Sequence, residues 1–440
     1  MSETQPSEVQ VGAYFYPQST YCGVRRWRRV LTNDEIGLDV ADIPNELELV
    51  QNAQPLFEGH DQPRTYSLFI GQREVTVWDD AQHDALCAQT AMALDHGLSF
   101  FIFDSYNGLR NGEVQREMYE SNRIADRGMH LIGAIGGLQF ARMETLEGTR
   151  SILPVPMLKD LKRGFNGGFS EPERAYDVTP AAARFIVDAN SEAWNNRAYL
   201  RVGGWRPYLS IMMPLLNHVE TDQQKQDILN TFISEVYTYA NSKYGEVPYI
   251  VGVVRQPSDV EKWTTTEVEA ITQYCALPEY GPGSPPIQQY PELIERREAE
   301  WETLTRIADQ TRKPFVPSVA LGWDASPRGE QGYTLEQVAG LHPYTPIVVN
   351  NTPEFVASAL QRAIAYVAKN VPEGQQILPI FAWNEYGEGA SPVPRKLPDG
   401  TTDTSLLKAI SRVIHTHASC AFCKRFPNHL GRPQDISARQ

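Results

Sequence analysis

Cysteine is scarce in this chain. There are five in 440 residues: Cys22, Cys87, Cys275, Cys420 and Cys423. An odd, widely spaced set in a long chain does not build a disulfide framework. Cys420-Ala-Phe-Cys423 is a C-x-x-C, but no second pair completes a four-thiolate zinc site. His415 and His417 are the nearby source of further ligands, and no metal is expected. Basic charge is short as well: 40 Lys and Arg against 54 Asp and Glu leave a net charge of −14. Nucleic-acid binding draws on clustered cations that release counterions. The basic cluster Arg25-Arg26-Trp27-Arg28-Arg29 reads as a solvated loop or as internal partners for nearby acids, so no nucleic-acid partner is expected. No apolar run approaches the ~20 residues that cross a bilayer. Met1–Gln10 is polar and acidic, without a basic n-region or an apolar h-region. The expected localisation is therefore cytoplasmic. The ends of the strands read below carry no Gly-rich phosphate loop, no histidine pair at ligand spacing and no nucleophile elbow, and no organic cofactor is expected.

Hydrophobic residues make up 41%, enough for a sizeable core. Read in order, short apolar runs alternate with helical patterns. Val11–Tyr16 is a first strand, stopped by Pro17. Residues 18–78 form a long loop region with a hairpin near Tyr66–Trp78. Asp79–His96 is a helix ended by Gly97, and Leu98–Phe103 a second strand. Glu113–Arg127 is a helix and Met129–Ile135 a third strand; residues 138–178 read as irregular and rich in Gly and Pro. Thr179–Asn195 is a helix with Thr179 as its N-cap and Pro180 at the first position. Arg206–Met213 is the fourth strand, Asp222–Lys243 a long helix stopped at Gly245, and Tyr249–Val254 the fifth strand. A short helix at Asp259–Glu269 precedes a sixth strand at Ala270–Leu277 and a Gly/Pro-rich loop. Tyr290–Thr311 is a helix, Pro314–Leu321 the seventh strand, Pro353–Lys369 a helix, residues 377–383 the eighth strand and Thr404–His417 the last helix. Strands alternating with helices imply a parallel sheet. Eight such units, with no break in composition, predict α/β architecture as a single (β/α)8 TIM-type barrel with long βα loops. A doubly wound open sheet is the alternative. The barrel spans 11–418, between a polar tail at 1–10 and a C-terminal tail at 419–440.

A barrel concentrates its chemistry at the carboxyl ends of its strands. Those ends carry Tyr14, Tyr16 and Gln18; Asp104, Tyr106 and Asn107; Arg255; Trp323, Asp324 and Arg328; and Trp383, Asn384, Glu385 and Glu388. Aromatic rings cover the apolar faces of sugars, and two carboxyl groups supply the acid and the base for glycosidic cleavage. Phe381, Trp383 and Glu385 alternate onto one face of an ideal strand. That puts Glu385 at the rim of the barrel interior and Glu388 on the loop above, with Gly387 providing the break that lets both reach one pocket. The plainer alternative is that one glutamate caps the following segment and the other is solvated. Asp104 is either a site residue or the start of an Asx turn. Trp323-Asp324 and Arg328 form either a sugar-contacting loop or an ion-paired structural one. Tyr14 and Tyr16 are either ligand contacts or barrel-filling aromatics.

Trp383-Asn-Glu-Tyr-Gly-Glu-Gly389 resembles the W-N-E-W-x-E-G signature of glycoside hydrolase family 99 and its WbsX-like relatives. Further segments agree in order. Tyr14-Phe-Tyr-Pro-Gln18 resembles the family's first-strand Y-Y-x-P-Q, and Pro55–Arg64 the P-L-F-x-G-H-x-Q-P-R that follows. Phe100–Asp104 resembles the second strand, Tyr199–Pro207 the lead-in to the fourth, and Gly322–Arg328 the G-W-D-x-x-P-R loop. The resemblance runs from about residue 12 to 415. It implies a (β/α)8 barrel and retaining hydrolysis of an α-glycoside, with no cofactor. It also implies that Glu385 deprotonates the substrate's own 2-hydroxyl, which displaces the leaving group to give an anhydro-sugar, and that Glu388 protonates the leaving oxygen. Two loops depart from the pattern. Where relatives carry W-x-N-E-x-W after the third strand, this chain reads Ala134-Ile-Gly-Gly-Leu-Gln-Phe-Ala141. The tryptophan-rich segment after the first strand is replaced by Thr20–Val30. Mannose specificity therefore does not carry over.

The function expected is a glycoside hydrolase acting on an α-linked oligosaccharide or polysaccharide, with Glu385 and Glu388 catalytic. Substrate contacts are expected from Tyr14, Tyr16, Gln18, Asp104, Tyr106, Arg255, Trp323, Asp324, Trp383 and Asn384. The alternatives are a cytoplasmic polysaccharide-biosynthesis protein or glycan-modifying transferase, and a non-catalytic carbohydrate-binding barrel. Sugar, linkage, exo or endo action and oligomeric state are left open by the residues.

Overall fold

The computed structural model describes residues 9–15, 65–70, 73–78, 92–105, 153–158, 178, 180–194, 199–213, 219, 221–254, 259–280, 283–325, 336–337, 339–341, 345–385, 388–396 and 401–425. Its centre is a parallel sheet. The strands in chain order are β1 (Gln10–Phe15), β2 (Phe100–Ser105), β3 (Leu153–Leu158), β4 (Arg206–Met212), β5 (Tyr249–Val254), β6 (Ala270–Gln273), β7 (Phe315–Val316), β8 (Val319–Ala320) and β9 (Ile377–Phe381). Hydrogen-bonded neighbours run β7-β6-β5-β4-β3-β2-β1-β9-β8. Register pairs include Gly12 with Phe100, Val11 with Leu378, Gly252 with Ile271 and Val319 with Ile380. β7 and β8, at the two ends of this path, are consecutive in the chain, parted only by Pro317 and Ser318. Proline has no N–H for a ladder, which explains why this segment reads as two short strands. Thr272 Oγ1 donates to Val316 O at 2.8 Å on one side of it, and Leu321 N to Phe381 O at 2.8 Å on the other.

Both faces of the sheet are buried, as parallel strands require. Alternate residues sort into two clusters. Tyr14, Phe100, Ile102, Tyr208, Met212, Val251, Val253, Ala270, Ile377 and Phe381 pack on one face. Val11, Ala13, Phe15, Phe101, Leu209, Ile211, Ile250, Ile271, Leu378 and Ile380 pack on the other, against the helices. The long helices are α1 (Pro180–Trp194), α2 (Asp222–Tyr244), α4 (Tyr290–Asp309), α5 (Pro353–Asn370) and α6 (Ser405–Arg425), with a short α3 (Val260–Thr264). In α2 the residues Leu229, Phe232, Ile233, Val236 and Ala240 recur at helical spacing and are all buried. Thr221 and Gln224 close a capping box at its start, and Gly245 ends it at φ 69°. Trp263 of α3 lies flat on β5: a Cβ at Gly252 would sit 2.6 Å from its ring. Only glycine permits that approach.

Most expected elements fall where periodicity put them, including the hairpin, seen as Thr65–Ile70 against Arg73–Trp78. Four differ. The stretch 138–178 is not irregular throughout, because Leu153–Leu158 pairs in parallel with both β2 and β4. Pro154 and Pro156 masked it as a strand. They stand two apart, so their missing N–H groups fall on the same side of it. The expected strand at 129–135 lies outside the described residues, as do the helix at 113–127 and residues 79–91 of the helix before it. The sixth strand stops at Gln273 rather than Leu277. The last helix continues to Arg425, past His417 and through the C-x-x-C. Ile287–Gln289 and Ile347–Val349 form a further parallel pair that alternation over so few residues did not reveal.

Candidate active site

Glu385 follows β9 by four residues and is 3% exposed. The Tyr274 hydroxyl, one residue past β6, donates to its Oε1 at 3.4 Å. Rings fill the space beneath. Tyr274 meets Tyr14 edge-on at 4.9 Å and Phe381 edge-on at 4.6 Å, and Trp323 stacks on Phe381 at 6.3 Å. Tyr14 is itself buried and donates from its hydroxyl to Gln273 O at 3.2 Å. These groups come from the carboxyl ends of β1, β6, β8 and β9.

Glu388 is half-buried and lies on the same turn as Glu385. Its backbone N donates to Glu385 O at 3.1 Å, and Ala390 N donates to that same oxygen at 3.0 Å. The turn is locked to the loop after β8. Asp324 N donates to Glu388 O at 2.8 Å. Gly389, at φ 64°, faces Asp324 so closely that a Cβ would stand 3.1 Å from its nitrogen. Gly322 leaves room for Asn351, whose Nδ2 donates to Leu321 O at 2.9 Å. Val348 N donates to Trp323 O at 2.7 Å, so the small parallel pair supports the same loop. A buried carboxyl group above aromatic rings and a half-exposed one on the same turn can divide proton acceptance and donation between them.

The alternation expected for Phe381, Trp383 and Glu385 does not hold. Phe381 and Ala382 both belong to the cluster that contains Tyr14, whereas Trp383 packs in the helix-side cluster, 5.3 Å from Phe101. Strand pairing stops at Phe381, and the period of two stops with it. Trp383 and Asn384 are fully buried, and Trp383 N donates to Tyr14 O at 2.7 Å. The structure thus brings together Tyr14, Trp323, Asp324, Glu385 and Glu388, and sets Trp383 into the core beside them. Asp104 occupies the fifth position of β2, in register with Met157. Tyr16, Gln18, Tyr106 and Arg255 lie outside the described residues. Tyr274 was missed. The signal for Tyr274 was its place directly after Ala-Ile-Thr-Gln, the strand-end position that singled out the other candidates. Among the described residues no three His, Cys, Asp or Glu gather as a metal cluster, and no helix is long and apolar enough to cross a membrane.

No protein-family model matches the chain, and no curated protein matches it in sequence. Solved structures do match in shape. A GH99 endo-alpha-mannosidase from Bacteroides thetaiotaomicron aligns at TM-score 0.50 with 12% identity, over 94% of this chain and 98% of that one. A second structure of that GH99 endo-alpha-mannosidase, in complex with BIS-TRIS-propane, gives 0.49 and 11%, over 94% and 98%. A GH138 enzyme targeting pectin rhamnogalacturonan II gives 0.40 and 11%, over 97% of this chain and 42% of that one. At such identity the likeness concerns the backbone, and it rests on the first of the three: this chain has a GH99-like fold.

Proposed function

We propose that the protein is a glycoside hydrolase that cleaves an α-linked oligosaccharide or polysaccharide with retention, on a closed (β/α)8 barrel. Closure is supported by the sheet path, whose two ends, β7 and β8, are one interrupted segment. Counted that way the described residues supply eight strands, the number such a barrel uses. The observation that carries the functional reading is the presence, on one turn at the strand ends, of buried Glu385, held by Tyr274 above Tyr14 and Phe381, and half-exposed Glu388. The GH99-like fold agrees with it.

In this reading the Glu385 carboxylate accepts the proton of the substrate's 2-hydroxyl. The freed oxygen attacks the anomeric carbon from the face opposite the leaving group, which restricts the substrate to α-glycosides whose 2-oxygen lies trans to that group, as in the manno and rhamno configurations. The glycosidic bond breaks, and Glu388 gives its proton to the departing oxygen. The product of this step is a 1,2-anhydro-sugar. Glu388, now ionised, takes a proton from water as that water opens the anhydro ring at the anomeric carbon, and Glu385 returns the proton to the 2-oxygen. Two inversions give net retention. Tyr274 steadies Glu385 through its hydroxyl. The half-exposed setting of Glu388 suits a group that must meet both the leaving oxygen and water.

The test is Glu385→Gln and Glu388→Gln, assayed by mass detection on a library of α-linked glycans. Each change is expected to lower turnover by about 10²-fold or more, the usual worth of a positioned acid or base, with the melting temperature unchanged. Wild-type-like cleavage by either variant refutes the assignment. Sugar binding by calorimetry without product after long incubation refutes the enzymatic reading in favour of a binding barrel.

A further inference from the structure

Tyr280 stands on the loop after β6 and is 53% exposed. Its ring meets Trp323 edge-on, with centroids 6.3 Å apart and planes at 89°. Trp323 is half-buried, and Phe381 covers one of its faces. Asp324, the residue after Trp323, holds Glu388 through the backbone bond at 2.8 Å. The two rings therefore make a right-angled corner beside Glu388. The Tyr280 hydroxyl is pushed above its ordinary range, first by burial and then by the Cys275 thiol and the Glu388 carboxylate, while the Trp323 side chain acts the other way as its hydrogen-bond partner. A large ring held open at the rim of a site costs solvation that a covering partner would recover. A pyranose fits a corner of this kind, with its C–H face on one ring and its edge against the other.

Resting on the assignment of Glu388 as the acid for the leaving oxygen, we propose that Tyr280 and Trp323 seat the first sugar on the leaving-group side. The substrate is then cut at a sugar–sugar bond, and a glycoside of a non-sugar alcohol is a poor one. The probes are α-linked di- to tetrasaccharides of D-mannose and of L-rhamnose, whose 2-oxygen lies trans to the leaving group, and the α-glycosyl fluorides of the same sugars, whose leaving group fills no sugar subsite. For Tyr280→Ala, kcat/KM on the best oligosaccharide is expected to fall about 10-fold, equivalent to about 1.4 kcal/mol. Hydrolysis of the fluoride is expected to stay within about twofold, and Tyr280→Phe, which keeps the ring, to resemble wild type on both. Equal loss on both substrates, or no loss on the oligosaccharide, overturns the subsite. A wild-type protein that hydrolyses a fluoride and no oligosaccharide also overturns it, while the glycosidase reading stands. If wild type hydrolyses neither, the glycosidase reading fails. Calorimetric titration of the same oligosaccharides then decides the corner separately: binding that Tyr280→Ala abolishes keeps it as a sugar site, and absence of binding removes it.

Discussion

Replacing Gly389 by alanine probes how the two glutamates are held. The residue sits at φ 64°, where an L side chain costs about 1–2 kcal/mol. The new Cβ would stand 3.1 Å from Asp324 N and 3.2 Å from Asp324 Cβ. The nitrogen is backbone and cannot rotate away, so the loop after β8 must shift by a few tenths of an ångström. Asp324 N is the donor to Glu388 O, so the shift reaches Glu388 directly. Displacement of a reacting group by about 1 Å costs about 10²-fold; a smaller shift is expected to lower kcat/KM by about 10-fold. Thermal stability should hardly register it. Unfolding entropy of ~2.1 cal/mol/K per residue makes a chain of 440 residues lose only about 1 °C per kcal/mol. A fall of about 1–3 °C is therefore expected. Gly245→Ala is the matched control. It has the same left-handed backbone, φ 69°, with nothing within 4 Å of the added methyl. It should show a similar loss in Tm and full activity. Wild-type kcat/KM in Gly389→Ala, or equal activity loss in Gly245→Ala, refutes the argument that backbone contact between the two loops positions Glu388.

Two further outcomes follow from the same contacts. Tyr274→Phe removes the hydroxyl that donates to Glu385 while keeping the ring between Tyr14 and Phe381. A hydrogen bond to a charged group is worth about 1.5–3 kcal/mol, and at 3.4 Å the low end applies, so kcat/KM should drop about 10-fold with Tm preserved. Trp263→Ala empties a fully buried site against Gly252 and leaves Val253 O without the indole donor at 3.3 Å. The expected loss is about 3–5 kcal/mol by chemical denaturation, with activity per folded molecule unchanged.

Much of the fold was legible locally. The spacing of apolar residues announced α2 and α5, and the stop of α2 at Gly245 came from ordinary capping chemistry. The apolar run before Trp383 announced β9, and the carboxylates after it announced the site. What stayed hidden depended on partners far away in sequence. Leu153–Leu158 reads as a loop because of its prolines, and only β2 and β4 on either side make it a strand.

By itself, then, the sequence determined that strands and helices alternate, that the sheet is buried on both faces, and that Glu385 and Glu388 emerge together at a strand end. These follow from periods of two and 3.6 and from where an apolar run stops. Only the tertiary structure decided that Trp383 turns into the helix-side core, that Tyr274 reaches Glu385 across 111 positions of chain, and that Gly322 and Gly389 let two loops pack backbone to backbone. Those outcomes rest on contacts between distant segments. No local period encodes them, because each requires the sheet to be assembled before the two sides can meet.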